Sequence, residues 1–548
     1  MYFIIINKIK RHLNIFSIMS IVIGVLILLP IVNILFEFFG SSSVTWEHIK
    51  NYLLAEYIKN SIVLIIIVAI LSLIIGFTSA YFVARYDFKG RKFLSWMLVI
   101  PLAVPSYIAA YVYADMMSYT GTIGRLLNWI GISGQINIMN MTGAALIFAF
   151  TLYPYIYLLT LTSLSRQSAS YLESATLLGA NRWKRLFSIT IPLARPALVA
   201  GSLLVILETL NDYGVVQYFN VRVFSFAIFN AWFSLGDVTS AIRLSAYLML
   251  LVFGVILIER ILRGRRQFQM HVKTKLISRR KIHGWKHLGV VSFLWFVLAV
   301  GFIIPFLQLL WYLVLTINKS FNMRIVLATL NTVFNSIITA VIIVIIALFM
   351  ANFSRMKARS KASKSWVKLA NLGYAIPGAV IAVAVHVFFV DIDRLLAPIY
   401  SVIIPNGPRL VITMSLFTLI FAYVLRFLSI GFNSIDSQYD KIGTKFTESA
   451  YTLGSSRMDA LIRVDIPLIY PGLIGAFILA FVDIIKELPL TLILRPANYD
   501  SLSTIVHTYA RDEMIQESSL PSLILITIAG VLIYLLTHYK KGLFNNVY

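Results

Sequence analysis

The sequence predicts an all-α polytopic membrane protein with about 12 transmembrane helices in two parallel six-helix repeats. Three observations carry this. The 548 residues are 59% hydrophobic and 13% charged, with a mean hydropathy of +0.84, too apolar for an ordinary soluble globule. Apolar runs of at least roughly 18 residues, long enough to cross a bilayer, recur along the chain. A polar stretch, Glu173-Ser174-Ala175-Thr176-Leu177-Leu178-Gly179 leading to Ile189-Thr190-Ile191-Pro192, returns 275 residues later as Glu448-Ser449-Ala450-Tyr451-Thr452-Leu453-Gly454 leading to Val464-Asp465-Ile466-Pro467.

Taken in order, the expected spans lie near residues 13–39, 61–84, 93–117, 142–164, 194–218 and 240–262, and again near 288–315, 335–354, 366–390, 409–430, 469–494 and 520–538. Lys8, Lys10 and Arg11 precede the first run, which is too long for the apolar core of a cleaved signal peptide and reads as a retained helix. Basic residues orient the rest. Arg85, Lys89, Arg91 and Lys92, the loop with Arg166, Arg182, Lys184 and Arg185, and the stretch from Arg260 to Lys286 all fall on one side, which the positive-inside rule makes cytoplasmic together with both termini. The localisation expected is the cytoplasmic (inner) membrane.

The repeat extends beyond the polar stretch. Pro30 matches Pro305, and Asn60-Ser61 matches Asn335-Ser336, at the same 275-residue interval. The expected domains are a first six-helix bundle over 1–262 with a cytoplasmic loop at 166–192, a basic linker over 263–286, and a second bundle over 287–548 with its loop at 441–467. Parallel repeats of this kind imply two halves related by a pseudo-twofold axis along the membrane normal, with a pathway between them.

Several function classes are excluded. The net charge of +24 reflects loops retained in the cytoplasm rather than a nucleic-acid surface. There is no cysteine, hence no disulfide, thiolate metal site or cysteine nucleophile. The histidines are dispersed without ligand spacing, and no stable metal site or cofactor is expected. No Gly-Lys pair occurs anywhere, so the chain lacks the lysine-bearing phosphate loop that cradles ATP.

Each duplicated loop reads as helix, turn, helix. Ser170-x-x-Glu173 fits a capping box, Gly179 suits a left-handed turn, and Pro192 should stop a second short helix. One copy could be no more than a capped helix end. Two copies at identical spacing suggest two docking elements for two equivalent partners.

A Glu-x5-Gly element followed by Ile-x-Leu-Pro, in the cytoplasmic loop before the penultimate helix, is the pattern of the coupling loop of binding-protein-dependent ABC importer permeases, which these two stretches resemble. Glu173 and Glu448 match the acidic position of that family, Gly179 and Gly454 its glycine, and Pro192 and Pro467 its proline. Ser174 and Ser449 stand where alanine is commoner, and Ile191 and Ile466 where leucine is. The resemblance implies a type I ABC importer permease fold, two copies of a cytoplasmic ATP-binding subunit gripping the two loops, and an extracytoplasmic solute-binding protein that delivers cargo. It also implies that the chain is not itself an enzyme, hydrolysis being the work of the separate ATPase.

Ionisable residues inside spans are costly and mark function by default. Glu208 and Asp212 lie in the fifth span, with Asp483, Lys486 and Glu487 in the eleventh. Both acidic pairs recur at the 275-residue interval. Their i, i+4 spacing places each pair on one helix face, and Pro489 should end or kink the helix just beyond. Two readings stand side by side: a polar gate or cation route, since carboxylate oxygens suit hard cations, and a structural set in which Lys486 neutralises Asp483 and Glu487.

The run Asp483-Ile484-Ile485-Lys486-Glu487-Leu488-Pro489, continuing to Arg495-Pro496, is similar to ferric iron permeases, as is Glu208-Thr209-Leu210-Asn211-Asp212-Tyr213-Gly214. Fusion of two permease domains is common in that group and in thiamine permeases. The resemblance implies ferric iron as cargo moved by alternating access, with thiamine, a polyamine or another small solute as the alternative. An ion-coupled secondary carrier also has twelve spans in two parallel halves, and Asp87-x-x-Gly90-Arg91-Lys92 matches part of a loop motif of that class. Val83 stands where that motif needs glycine.

Overall fold

The structure, a computed structural model, describes residues 15–40, 42–131, 137–165, 167, 169–263, 279–356, 373–403 and 407–539. Lys8, Lys10, Arg11, Arg166, linker residues 264–278 and the beginning of the ninth expected span lie outside them.

The chain is helical nearly throughout, and a helix stands at each of the twelve expected spans. Among the described residues, nine helices are long and apolar enough to cross a membrane, and a bent pair makes a tenth. The fold is the all-α polytopic one expected from the apolar runs. Among the described residues one strand pair joins Tyr86–Asp87 in parallel to Arg280–Lys281, which ties the end of the basic linker to the turn after helix Leu54–Arg85.

Two compact units result. Unit one comprises Met1–Ser42, Ala241–Ala246 and Met323–Thr504, and unit two comprises Ser43–Ser240, Tyr247–Asn322 and Ile505–Tyr548. These spatial units interleave the sequence halves 1–262 and 287–548. Helix Ile15–Glu37 packs on helices Met323–Met356 and Gly378–Ile403, where Asn33 donates to Asp391 at 3.3 Å. In unit two, helix Ile304–Ser320 packs on helix Ser519–Tyr539. A first helix carries an apolar surface all round, so its pattern does not say which bundle it will join.

Small residues set the closest approaches in each unit. A Cβ on Gly76 or Gly201 would stand 2.9 or 2.8 Å from Ile156 atoms, so helices Leu54–Arg85, Met141–Ser165 and Ile191–Asn211 meet nearly backbone to backbone. In unit one, Gly431 faces Ile343 and Gly472 faces Gln438 with as little room.

The third span, expected near 93–117, is a bent pair of helices. Helices before and after the Val104–Pro105 step meet at 89°. Proline lacks an amide hydrogen and disfavours helical geometry in the residue before it, and Val104 is extended at φ −91°, ψ 111°. The buried Tyr153 and Tyr157 hydroxyls donate to the Leu98 and Ser95 carbonyls at 3.0 and 2.7 Å, satisfying acceptors near the break.

Candidate functional site

Each duplicated loop is built from the same parts at the same 275-residue interval. Helix Ala169–Leu177 ends in a left-handed Gly179 at φ +75°, with Ala180 N–H bonded to Ala175 O at 2.9 Å. Helix Lys445–Thr452 ends in Gly454 at φ +85°, with Ser455 N–H bonded to Ala450 O at 3.0 Å. This six-to-one bond around a left-handed residue is the usual glycine-stopped helix end. The side chains of Asn181 and Ser456 then cap the next turn by accepting from Lys184 N–H and Asp459 N–H at 2.7 and 3.2 Å.

Two local expectations are corrected. Ser170 lies inside helix Ala169–Leu177 and is therefore not the N-cap of a capping box. Pro192 and Pro467 do not stop a helix: the chain stays helical over Arg182–Asn211 and Arg457–Ile485. A π turn precedes each proline, Leu186–Thr190 and Leu461–Asp465, and the amides of Ile191 and Ile466 reach back to Leu186 O and Leu461 O. The widened turn shifts the bonding ladder by one residue just where the proline ring would collide with a carbonyl.

Both loops carry outward-facing apolar side chains at matching positions. Tyr171 matches Phe446, Leu178 matches Leu453 at 86% exposure each, Trp183 matches Met458, and Phe187 matches Ile462. Glu173 and Glu448 are exposed beside them. Sequence reasoning singled out the glutamate, glycine and proline but not these four pairs, which the repeat alignment could have revealed.

The loops are anchored differently. Asp465, 3% exposed, accepts from Arg355 at 2.9 Å and from the Thr447 hydroxyl at 2.6 Å, and Arg355 also donates to the Gly443 carbonyl. At the matching position in unit two stands Thr190, whose backbone carbonyl accepts from Gln167 at 3.4 Å. Gln167 in turn accepts from the buried Arg85 at 2.6 Å.

At the far end of each long helix lie the expected intramembrane charges. Their shared-face arrangement is corrected. Helix Ile191–Asn211 ends before Asp212, and helix Ile466–Ile485 ends before Lys486, so Asp212 and Glu487 both occupy breaks. Asp212 accepts from Val215 N–H at 2.8 Å, and Glu487 accepts from Leu490 N–H at 3.3 Å. These acids are therefore first-turn acceptors for the equivalent short helices Gly214–Tyr218 and Pro489–Leu494. Pro489 opens the second short helix, where its missing N–H costs nothing, instead of kinking the first. Glu208 remains within its helix, half-buried.

The ion pairs also divide otherwise than expected. Lys486 meets Asp483 at 2.9 Å, but Glu487 pairs with Arg426 at 3.5 Å, with 5% and 6% of the two side chains exposed. Arg426 was overlooked in the sequence although it lies within the tenth span and meets the same criterion of a charge inside an apolar run. The Tyr423 and Thr491 hydroxyls meet at 2.5 Å close by, and Ser503 donates to Glu487 O at 3.0 Å. Thr151 holds the place of Arg426 in unit two, with the Ser106 hydroxyl 2.9 Å away.

Twin exposed loops open into membrane-length helices, the arrangement of a multi-pass membrane protein. Over residues 72–267 the chain matches the family described as the binding-protein-dependent transport system inner membrane component. It is 23% identical over 493 residues to the Fe(3+)-transport system permease protein FbpB 2 of Haemophilus influenzae, covering 89% of this chain and 90% of that one. The sulfate transport system permease protein CysT of Escherichia coli is 29% identical over 173 residues, which are 32% of this chain and 61% of the relative. The molybdenum transport system permease protein ModB of the same organism is 30% identical over 149 residues, 27% of this chain and 64% of that one.

Proposed function

We propose that this permease moves ferric iron from an extracytoplasmic binding protein to the cytoplasm by alternating access, driven by two copies of a separate ATP-binding subunit. The observation that carries the cargo is the extent of the likeness to the Fe(3+) permease, which runs through both halves of the chain. Likeness to the sulfate and molybdenum permeases covers 32% and 27% of the chain.

The loops supply the grip. Glu173, Gly179 and Pro192, with Glu448, Gly454 and Pro467, frame two rigid elements whose exposed apolar pairs suit grooves on two identical ATPase subunits. Both loops and both termini then face the cytoplasm. Glu208, Asp212, Asp483, Lys486 and Glu487 act at the translocation pathway or its gate, with Asp212 and Glu487 holding the helix breaks that would have to flex. Halves 1–262 and 287–548 serve as two equivalent permease domains joined by the basic linker.

A second reading has support. The spermidine/putrescine permease PotB of Haemophilus influenzae is 29% identical over 174 residues, so an organic cation is the alternative cargo. Uptake by the permease reconstituted with its ATPase and binding protein decides the matter. Labelled ferric iron should accumulate only with ATP, whereas accumulation of spermidine, sulfate or molybdate in its place would overturn the iron reading. Uptake that persists without the ATPase would indicate an ion-coupled carrier.

A further inference from the structure

Helix Leu54–Arg85 ends on a buried cation. Arg85 is 8% exposed and donates from Nη2 to Gln167 Oε1 at 2.6 Å, a neutral acceptor, while its enclosed Nη1 meets no acceptor among the described residues. All 23 acidic side chains of the chain fall among those residues, and none of them pairs with Arg85. A guanidinium cannot shed its proton to escape burial, so a charge enclosed in this way calls for an anion.

Other buried arginines have one. Arg91 and Arg426, enclosed to a similar degree, face Asp87 and Glu487, each at 3.5 Å. Unit one supplies the closer parallel. Arg355, in the last turn of helix Met323–Met356, meets Asp465 at 2.9 Å, just before Ile466-Pro467. In unit two Arg85 closes the corresponding helix, and Gln167 links it to the backbone carbonyl of Thr190, the residue 275 places before Asp465. The two arginines are 270 residues apart, so what matches is the helix end and the residue each one reaches. Only unit one provides a carboxylate there.

The surroundings specify the kind of anion. Arg185, in the short helix Arg182–Arg185, lies near Tyr81 as Arg85 does, so a second guanidinium stands close by. Guanidinium groups bond best to oxyanions, whose oxygens match their planar array of donors. Gln167 marks the seat. Its amide oxygen already holds an acceptor position beside Arg85, and its other bond, from Nε2 to Thr190 O, is long at 3.4 Å, so an incoming oxygen displaces it with little loss. Arg85 is also the last residue of a 42-residue membrane-length helix from Val44, which sets it at the level of lipid headgroups and their phosphates.

We infer that Arg85 and Gln167 form an anion site in unit two for a phosphate-type oxyanion, free or borne by an anionic lipid headgroup, in the place that the Asp465 carboxylate fills in unit one.

Thermal melting of the purified full-length chain tests this in two arms. In detergent, inorganic phosphate is titrated at an ionic strength held constant with sodium chloride; in nanodiscs, phosphatidylcholine alone is compared with phosphatidylcholine containing phosphatidylglycerol. The melting temperature should rise and saturate in at least one arm, because an anion that binds only the folded chain stabilises it. A response to phosphate identifies a free oxyanion, and a response to phosphatidylglycerol without one to phosphate identifies a lipid headgroup. Gln167→Glu is the decisive variant. It sets a carboxylate where the amide was, and should raise the baseline melting temperature while abolishing the response. Arg85→Met removes the buried charge at similar volume, and the half-saturating anion concentration should rise about tenfold or more, the scale of one lost charge-assisted bond. Should Arg85→Met fail to assemble, Gln167→Glu carries the test alone. No shift in either arm, a shift that chloride reproduces at equal ionic strength, or a Gln167→Glu variant that responds as the unaltered chain does overturns the inference.

Discussion

Asp465 accepts a hydrogen bond from Arg355 at 2.9 Å through its side chain, whereas Thr190, one repeat earlier, accepts from Gln167 through its backbone carbonyl. The two duplicated loops therefore share a backbone design but not an anchor. Asp465→Ala should destabilise unit one by about 3–5 kcal/mol, the usual cost of leaving one member of a buried pair unmatched. Thr190→Ala should cost little, since its anchoring atom survives the change. Melting of the purified permease and pull-down of the ATPase test both variants. Equal behaviour would refute the asymmetry.

Gly179→Pro and Gly454→Pro should uncouple transport while leaving the permease in the membrane. Proline fixes φ near −65°, and these residues sit at +75° and +85°. The substitution distorts the loop without touching a span. Loss of ATPase association with normal membrane levels is expected; loss of insertion would count against a docking role.

The Arg426–Glu487 ion pair ties helix Leu416–Ile442 to the break after Ile485, and breaking it should cost about 3–5 kcal/mol through the charge left buried. Arg426→Met alone should lower the melting temperature sharply. Combining it with Glu487→Gln should restore most of the loss. If the double variant is no more stable than the single one, the pair is not coupled as the geometry indicates.

Asp483→Asn should behave differently. Its partner Lys486 is an i+3 neighbour on the same short stretch, and asparagine keeps an acceptor oxygen beside an ammonium that still reaches solvent, so the change should cost less than breaking the Arg426–Glu487 pair. Stability should barely change. A marked fall in uptake would then place Asp483 on the cargo route, while unchanged uptake would leave it a local ion pair.

Much of this was legible in the residues. The length of the apolar runs marked where the membrane-length helices fall, nine and a bent tenth among the described residues, because no water in a bilayer satisfies an open backbone and only helix is available there. The duplicated Glu-x5-Gly stretch marked both loops, and Gly179 and Gly454 took the left-handed geometry that glycine alone adopts freely. Arg426 was legible too, by the rule applied to Glu208 and Asp483, but it was passed over. The π turns before Pro192 and Pro467 were not readable, since helix periodicity is the same on either side of a one-residue shift in bonding.

What the sequence determined by itself is the helical class, the 275-residue repeat and the places of the two loops, all set by local chemistry repeated along the chain. Tertiary structure alone decided which charge meets which. Lys486 is nearest to Glu487 in sequence, yet Arg426 from another helix takes that carboxylate, because the helix ends at Ile485 and the break turns Glu487 toward a new neighbour. The same holds for helix Ile15–Glu37, whose apolar surface fits any bundle and whose place in unit one is fixed by packing across more than three hundred residues of chain.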